Sequence, residues 1–132
     1  MKMTKKKAEK TVRTLIKKLD KIFSTYIRKR EADNKGYVQC ISCARKYEWQ
    51  EMDAGHYISR RHLATRFDEQ NVHAQCKKCN RFQDGNMDEY ALSLQRKYGN
   101  EILKDLNRRK NETKKFTIDE LEEMNSHYQS LI

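Results

Sequence analysis

Proline is missing altogether from this 132-residue chain, glycine occurs four times and tryptophan once. Without proline there is no stiff, extended linker, so the chain reads as continuous folded structure and not as modules on a spacer. With so few glycines, each is expected where the backbone asks for one. Apolar residues make up 36% and charged residues another 36%, so the core must be small and needs reinforcement beyond hydrophobic burial. No run approaches the roughly 18 apolar residues of a membrane-spanning helix. The opening Met1-Lys2-Met3-Thr4-Lys5-Lys6-Lys7 leads into no apolar stretch of the kind a secretory signal needs. The expectation is a cytoplasmic protein of one compact domain with an appended arm.

What the chain has in excess is positive charge, with 29 Lys and Arg against 19 Asp and Glu for a formal net of +10. Residues 1–31 hold 12 basic and 3 acidic side chains, which leaves +9 in that stretch. A basic segment usually meets phosphates, because release of condensed counterions favours association. Nucleic acid is therefore the expected partner, with Lys5, Lys6 and Lys7 among its contacts. The plain alternative is a solvated face that only maintains solubility. A membrane surface is not expected, since the apolar stripe of this segment lacks Trp and reads as packing surface.

That stripe is Val12, Leu15, Ile16, Leu19, Ile22, Phe23, Tyr26 and Ile27, at helical spacing. It predicts a helix over about residues 4–32, ending before the turn signal Asn34-Lys35-Gly36. The stripe needs a partner, either the rest of the chain or a second copy. Short extended pieces follow: Tyr37-Val38-Gln39, Tyr47-Glu48-Trp49 and His56-Tyr57-Ile58. Alternation over residues 70–75 would place Asn71 and His73 on one face of a strand. Asn86-Met87-Asp88-Glu89 and Thr117-Ile118-Asp119-Glu120 read as capping boxes opening helices, with a further helix over residues 100–109. Gly99 suits a helix stop. The plan is α+β, with a basic helix (1–35), a central core (36–98) and C-terminal helices (99–132).

The four cysteines form two pairs, Cys40-Ile41-Ser42-Cys43 and Cys76-Lys77-Lys78-Cys79. In a cytosolic chain, with neither pair in a βαβ context, disulfides and thioredoxin-like chemistry are disfavoured. Four thiolates close a tetrahedron around Zn²⁺, a structural site that also reinforces a small core. The 32 residues between the pairs exceed an ordinary zinc ribbon, so something is inserted there.

The insert holds Asp53-Ala54-Gly55-His56 and Asn71, and Asn80 follows the last cysteine directly. Asn80 and Asp84 share a face if a helix starts at Asn80. One imidazole near oxygen ligands is what metal-assisted phosphodiester hydrolysis requires: a base for water, and a hard cation for the charge building on phosphate. Together these residues resemble the HNH nucleases, whose ββα-metal fold carries the base on a hairpin and metal ligands on the following helix.

The resemblance narrows on Cys40-Ile41-Ser42-Cys43, Asp53-Ala54-Gly55-His56-Tyr57, Arg66-Phe67, Asn71-Val72-His73, Gln75-Cys76, Cys79-Asn80, Gly85-Asn86 and Phe116-Thr117-Ile118. These are similar to the phage NinG family, also called Rap, a group of recombination nucleases that cut branched DNA. The likeness covers about residues 20–130. It implies a zinc-stapled ββα-metal (HNH) core flanked by helices. His56 stands at the general base, Asn71 at the residue that pins the hairpin loop, and Asn80 where the last His of HNH would be. Asn80 then holds a catalytic Mg²⁺ or Mn²⁺, with Asp84 at the second helix position. Many relatives have Asp directly before the His; Gly55 stands there, and Asp53 is either a ligand or a supporting residue. Family members carry a cysteine-rich N-terminal segment where this chain has its lysine-rich helix.

The expected activity is metal-dependent endonuclease cleavage of Holliday junctions or D-loops, leaving 5′-phosphate and 3′-hydroxyl. Arg60 or Arg61 is the expected backbone grip, with Arg66 and Arg81 as further candidates and His62 beside them. His73 is either an active-site or a buried structural histidine. His127, Trp49 and Tyr57 are expected to be structural. Paired nicks across a junction suggest a homodimer. The rival readings are a restriction, homing or packaging HNH nuclease acting on ordinary duplex, and a non-catalytic zinc module that binds DNA.

Overall fold

The computed structural model describes residues 3–132; Met1 and Lys2 of the basic start lie outside them. Its elements are α1 (Lys5–Arg30), β1 (Tyr37–Gln39), β2 (Lys46–Glu48), β3 (Met52–His56), α2 (Leu63–Arg66), β4 (Val72–Cys76), α3 (Met87–Tyr98), α4 (Ile102–Lys110) and α5 (Ile118–Ser130). A π-helical turn, Lys78–Phe82, follows β4. The architecture is α+β, as composition and period suggested. No helix among the described residues is long and apolar enough to cross a membrane.

Two compact units emerge, one from Met1–Tyr26 with Lys115–Ile132, the other from Ile27–Lys114. The division differs from the expected 1–35, 36–98 and 99–132. In particular, α4 belongs with the central unit, because its Ile102 and Leu106 are buried in one cluster with Tyr90 and Leu94 of α3.

In the first unit, the Thr4 hydroxyl accepts from the Lys7 amide (3.2 Å) and closes the start of α1. Leu19, Ile22 and Phe23 of the stripe are buried. Tyr128 of α5 meets Phe23 edge-on at 5.0 Å and Tyr26 at 5.0 Å. Asn125 donates to the Leu15 carbonyl (3.3 Å). Phe23 and Tyr26 of the stripe thus meet α5, while Val12, Leu15 and Ile16 are half-buried. Thr117 caps α5 as the capping box predicts, accepting from the Glu120 amide at 3.1 Å.

The second unit contains two antiparallel hairpins, β1–β2 and β3–β4. In the second, Met52 faces Cys76, Gly55 faces His73 and His56 faces Val72. The strand expected over His56-Tyr57-Ile58 in fact ends at His56, and β4 starts one residue after Asn71. Every residue of β4 is buried, so its polar/apolar alternation does not report a solvent face. The box at Asn86 also differs: Asn86 is left-handed (φ 43°) and makes no side-chain cap to α3. Its side-chain amide donates instead to the Cys79 sulfur (3.6 Å).

Candidate active site beside a four-cysteine cluster

Cys40 and Cys43 lie at and after the end of β1, while Cys76 ends β4 and Cys79 sits in the π-helical turn. The Ile41 amide donates to the Ala74 carbonyl (3.0 Å) and ties the first cysteine loop to β4. All four sulfurs lie within 4.8 Å of one another, with Cys43 and Cys76 at 3.8 Å. Tetrahedral Zn–S bonds of ~2.3 Å require sulfurs ~3.8 Å apart, so this donor set suits zinc. It is far from the ~2.05 Å of a disulfide. Backbone amides already point at sulfur: Cys43 and Cys76 donate to Cys40, and Cys79 to Cys76, at 3.5, 3.3 and 3.5 Å. Burial pushes the Cys76 and Cys79 thiols up, so the thiolates call for a cation to hold them.

His56 closes β3. Its Nε2 lies 3.0 Å from the Arg66 carbonyl oxygen. A carbonyl only accepts, so Nε2–H donates, and in the neutral ring the lone pair resides on Nδ1. The residue before it, Gly55, leaves no room for a side chain: a Cβ there would run into Gln75. This close approach is the physical reason that glycine stands directly before His56.

Asn71 is fully buried and laces the loop after His56. Its Oδ1 accepts from the Ile58 amide (2.8 Å), and its Nδ2 donates to the Ile58 and Thr65 carbonyls (3.0 and 3.1 Å). Asn71 and His73 therefore serve different partners. His73 is buried between two tyrosines, with Tyr90 Oη 3.3 Å from Nδ1 and Tyr98 Oη 2.8 Å from Nε2. Burial lowers its pKa to about 3, so it stays neutral and structural. Tyr90 donates to the Gly55 carbonyl (2.7 Å). The order of donors is then Tyr98 to His73 Nε2, His73 Nδ1–H to Tyr90, and Tyr90 to the peptide joined to His56.

At the far end of the hairpin, Asn80 Nδ2 donates to Asp53 Oδ2 at 2.9 Å. Arg81 grips both Asp53 oxygens, Nε to Oδ2 at 2.9 Å and a terminal nitrogen to Oδ1 at 3.0 Å. Asp53 thus anchors Asn80 and Arg81. Asp84 does not share a helix face with Asn80, because the turn ends at Phe82. It sits exposed beyond that turn at φ 49°. Arg60 and Arg61 are exposed in the loop after His56, and His62 is half-buried. Lys5, Lys6 and Lys7 are exposed on the first turns of α1. Trp49 is half-buried beneath Arg28 and Lys29, 5.2 and 5.3 Å from its ring.

Sequence reasoning missed Tyr90, Gln75, the Arg66 carbonyl and the Arg81–Asp53 pair. Adjacency to Asn80 was the one signal for Arg81; nothing in the pattern marked the others.

A family model described as "Bacteriophage Lambda NinG protein" matches residues 1–132. The chain belongs to the NinG family. It is 32% identical over 117 residues to Protein ninG of Escherichia phage lambda, covering 86% of this chain and 53% of that protein. The same identity holds for Protein ninG of Escherichia phage 933W over 117 residues and of Salmonella phage P22 over 121, each covering 86% of this chain and 54% of the relative. The chain spans about half the length of the curated relatives it matches. No solved structure gives a significant match.

Proposed function

We propose that this NinG chain is a zinc-stapled, metal-dependent endonuclease of HNH type that acts on branched recombination intermediates. The observation that carries the reading is the 3.0 Å contact of His56 Nε2 with the Arg66 carbonyl oxygen. With Nε2–H committed to the Arg66 carbonyl, Nδ1 is the basic atom, as a general base requires. Nδ1 takes a proton from water, the resulting hydroxide attacks phosphorus in line, and the P–O3′ bond breaks. The departing 3′-oxygen gains a proton, which leaves 3′-hydroxyl and 5′-phosphate ends. Asn71 keeps the loop after His56 in register, and Tyr90 holds the peptide before it.

An amide oxygen and a carboxylate are donor types that a hard divalent cation takes, although in this structure Asn80 and Arg81 engage both Asp53 oxygens. The amide oxygen of Asn80 would hold Mg²⁺ or Mn²⁺, and Asp53 would either join it or keep Asn80 oriented. Such an ion supplies Lewis-acid stabilisation of phosphorane charge when bound. Asp84, exposed beyond the turn that carries Asn80, is the further candidate ligand. Basic side chains at Arg60, Arg61 and Lys5 to Lys7 would meet phosphates. Paired nicks would need two copies of the chain.

The test is cleavage of a four-way junction and of a linear duplex of the same sequence, with Mg²⁺ present. The His56→Ala variant should lose ~10²–10⁴-fold in rate while zinc content, melting temperature and DNA affinity hold. Cutting of the variant at wild-type rate would remove the general-base reading. Equal cleavage of both substrates by the wild type would favour an ordinary duplex nuclease.

A further inference from the structure

Three of the four phenylalanines, Phe23, Phe67 and Phe116, are buried, whereas Phe82 is 82% exposed. Among the exposed large apolar side chains of the described residues, Phe82 is the barest. Phe82 ends the π-helical turn Lys78–Phe82 that also carries Asn80 and Arg81. The backbone beneath the ring is firmly held: the Gly85 amide donates to the Cys79 carbonyl (2.8 Å) and the Asn86 amide to the Gln83 carbonyl (2.7 Å). The Asn86 side chain is tied to Cys79. Lys77, Lys78 and Arg81 on the same short segment are exposed as well, while Asp84 is the one acidic residue between Lys77 and Met87.

An exposed aromatic ring on a rigid turn among cations is the combination that single-stranded nucleic acid selects. The ring offers a stacking face to any base, and the ammonium groups of Lys77 and Lys78 meet the flanking phosphates, while Arg81 is held by Asp53. A groove for an apolar peptide would lack a role for the cations, and a fully paired duplex offers no free base face. We infer that Phe82 is a stacking platform for an unpaired DNA base, placed one residue beyond Arg81 and two beyond Asn80. This inference rests on the proposed nuclease reading for its biological sense, since it would seat unpaired nucleotides next to the cutting centre. Its test, however, reads binding alone.

The experiment measures affinity of the full chain, without added Mg²⁺, for a DNA duplex bearing an unpaired internal loop and for the fully paired duplex of equal length. Phe82→Ala should lose about 10- to 100-fold in affinity for the looped DNA and should leave the paired duplex unchanged. Phe82→Trp should restore looped-DNA affinity. Because the ring is exposed, Phe82→Ala should keep its zinc content and melting temperature, and both are checked. Equal binding by wild type and Phe82→Ala, or an equal loss on both DNAs, would overturn the proposal. So would a change in sedimentation of Phe82→Ala without DNA, which would mark the ring as a self-association surface. If the wild type cuts nothing but this discrimination persists, the nuclease reading falls and the platform stands; cleavage without the discrimination gives the reverse.

Discussion

The two units of this chain hold together by different means. The unit built from α1 and α5 is apolar in its interior, with Leu19, Phe23, Leu121 and Tyr128 buried and one buried polar residue, Asn125, bonded to helix carbonyls. The unit from Ile27 to Lys114 buries Ser42, Thr65, Asn71, His73 and Gln75 together with three cysteines. Burial is non-directional and tolerates repacking. Buried polar groups must each find a partner, so they fix geometry more than they add stability. The helical unit therefore has freedom in its details, while the hairpin unit has little. His56 and Asn80, on which the proposed nuclease reading depends, lie in the second kind of environment.

The sharpest way to break this comparison is to open the sulfur cluster. Cys76→Ser should strip zinc and unfold the central unit, because structural zinc supplies apparent binding energies of ~10–16 kcal/mol that act as folding energy. Elemental analysis and thermal melting read the result, and wild-type stability with no metal at all would refute the zinc staple. Phe23→Ala acts on the other side. Removing an aromatic ring that is 2% exposed should destabilise by ~3–5 kcal/mol while zinc stoichiometry stays constant. Loss of zinc in that variant would mean that the two kinds of cohesion are not separable.

A finer test uses His73. Its folded pKa lies near 3, below the ordinary value of about 6.5, so the unfolded chain binds the extra proton between those values. The stabilisation is complete above about pH 6.5 and is lost as pH falls toward 3, with a slope of up to ~1.4 kcal/mol per pH unit. Urea unfolding at stepped pH should show that slope in the wild type and a flatter one in His73→Asn; parallel slopes would contradict it. The smallest effect concerns the arm. Replacing Lys5, Lys6 and Lys7 by Gln should reduce the log–log salt slope of DNA binding by about 0.9 for each phosphate no longer neutralised. An unchanged slope would make these lysines a solvated face only.

Much of this arrangement is legible from residue order. The spacing of Val12 to Ile27 foretells α1, Thr117-x-x-Glu120 foretells the start of α5, and two Cys-x-x-Cys pairs foretell a cluster of sulfurs. Each is a local or strictly periodic signal, and local signals survive folding. The Asn86 box and the Asn80–Asp84 helix face are the instructive differences. Asn86 gives its side-chain amide to Cys79, and the turn carrying Asn80 stops at Phe82. At Asn86 the contact with Cys79, seven positions earlier, replaces the local cap, a rule worth only ~1 kcal/mol.

By itself, the sequence determined the four longer helices (α1, α3, α4 and α5), the paired cysteines, the basic start, and which polar residues were candidates for chemistry. The tertiary structure alone decided how they are used. It set the Arg66 carbonyl against His56, engaged Asp53 with Asn80 and Arg81, and enclosed His73 between Tyr90 and Tyr98. Those partners lie 10 to 28 positions apart in the chain. No period or propensity spans such distances; only closing the hairpin and packing α3 onto it does so, and with that packing come the tautomer, charge and burial on which chemistry depends.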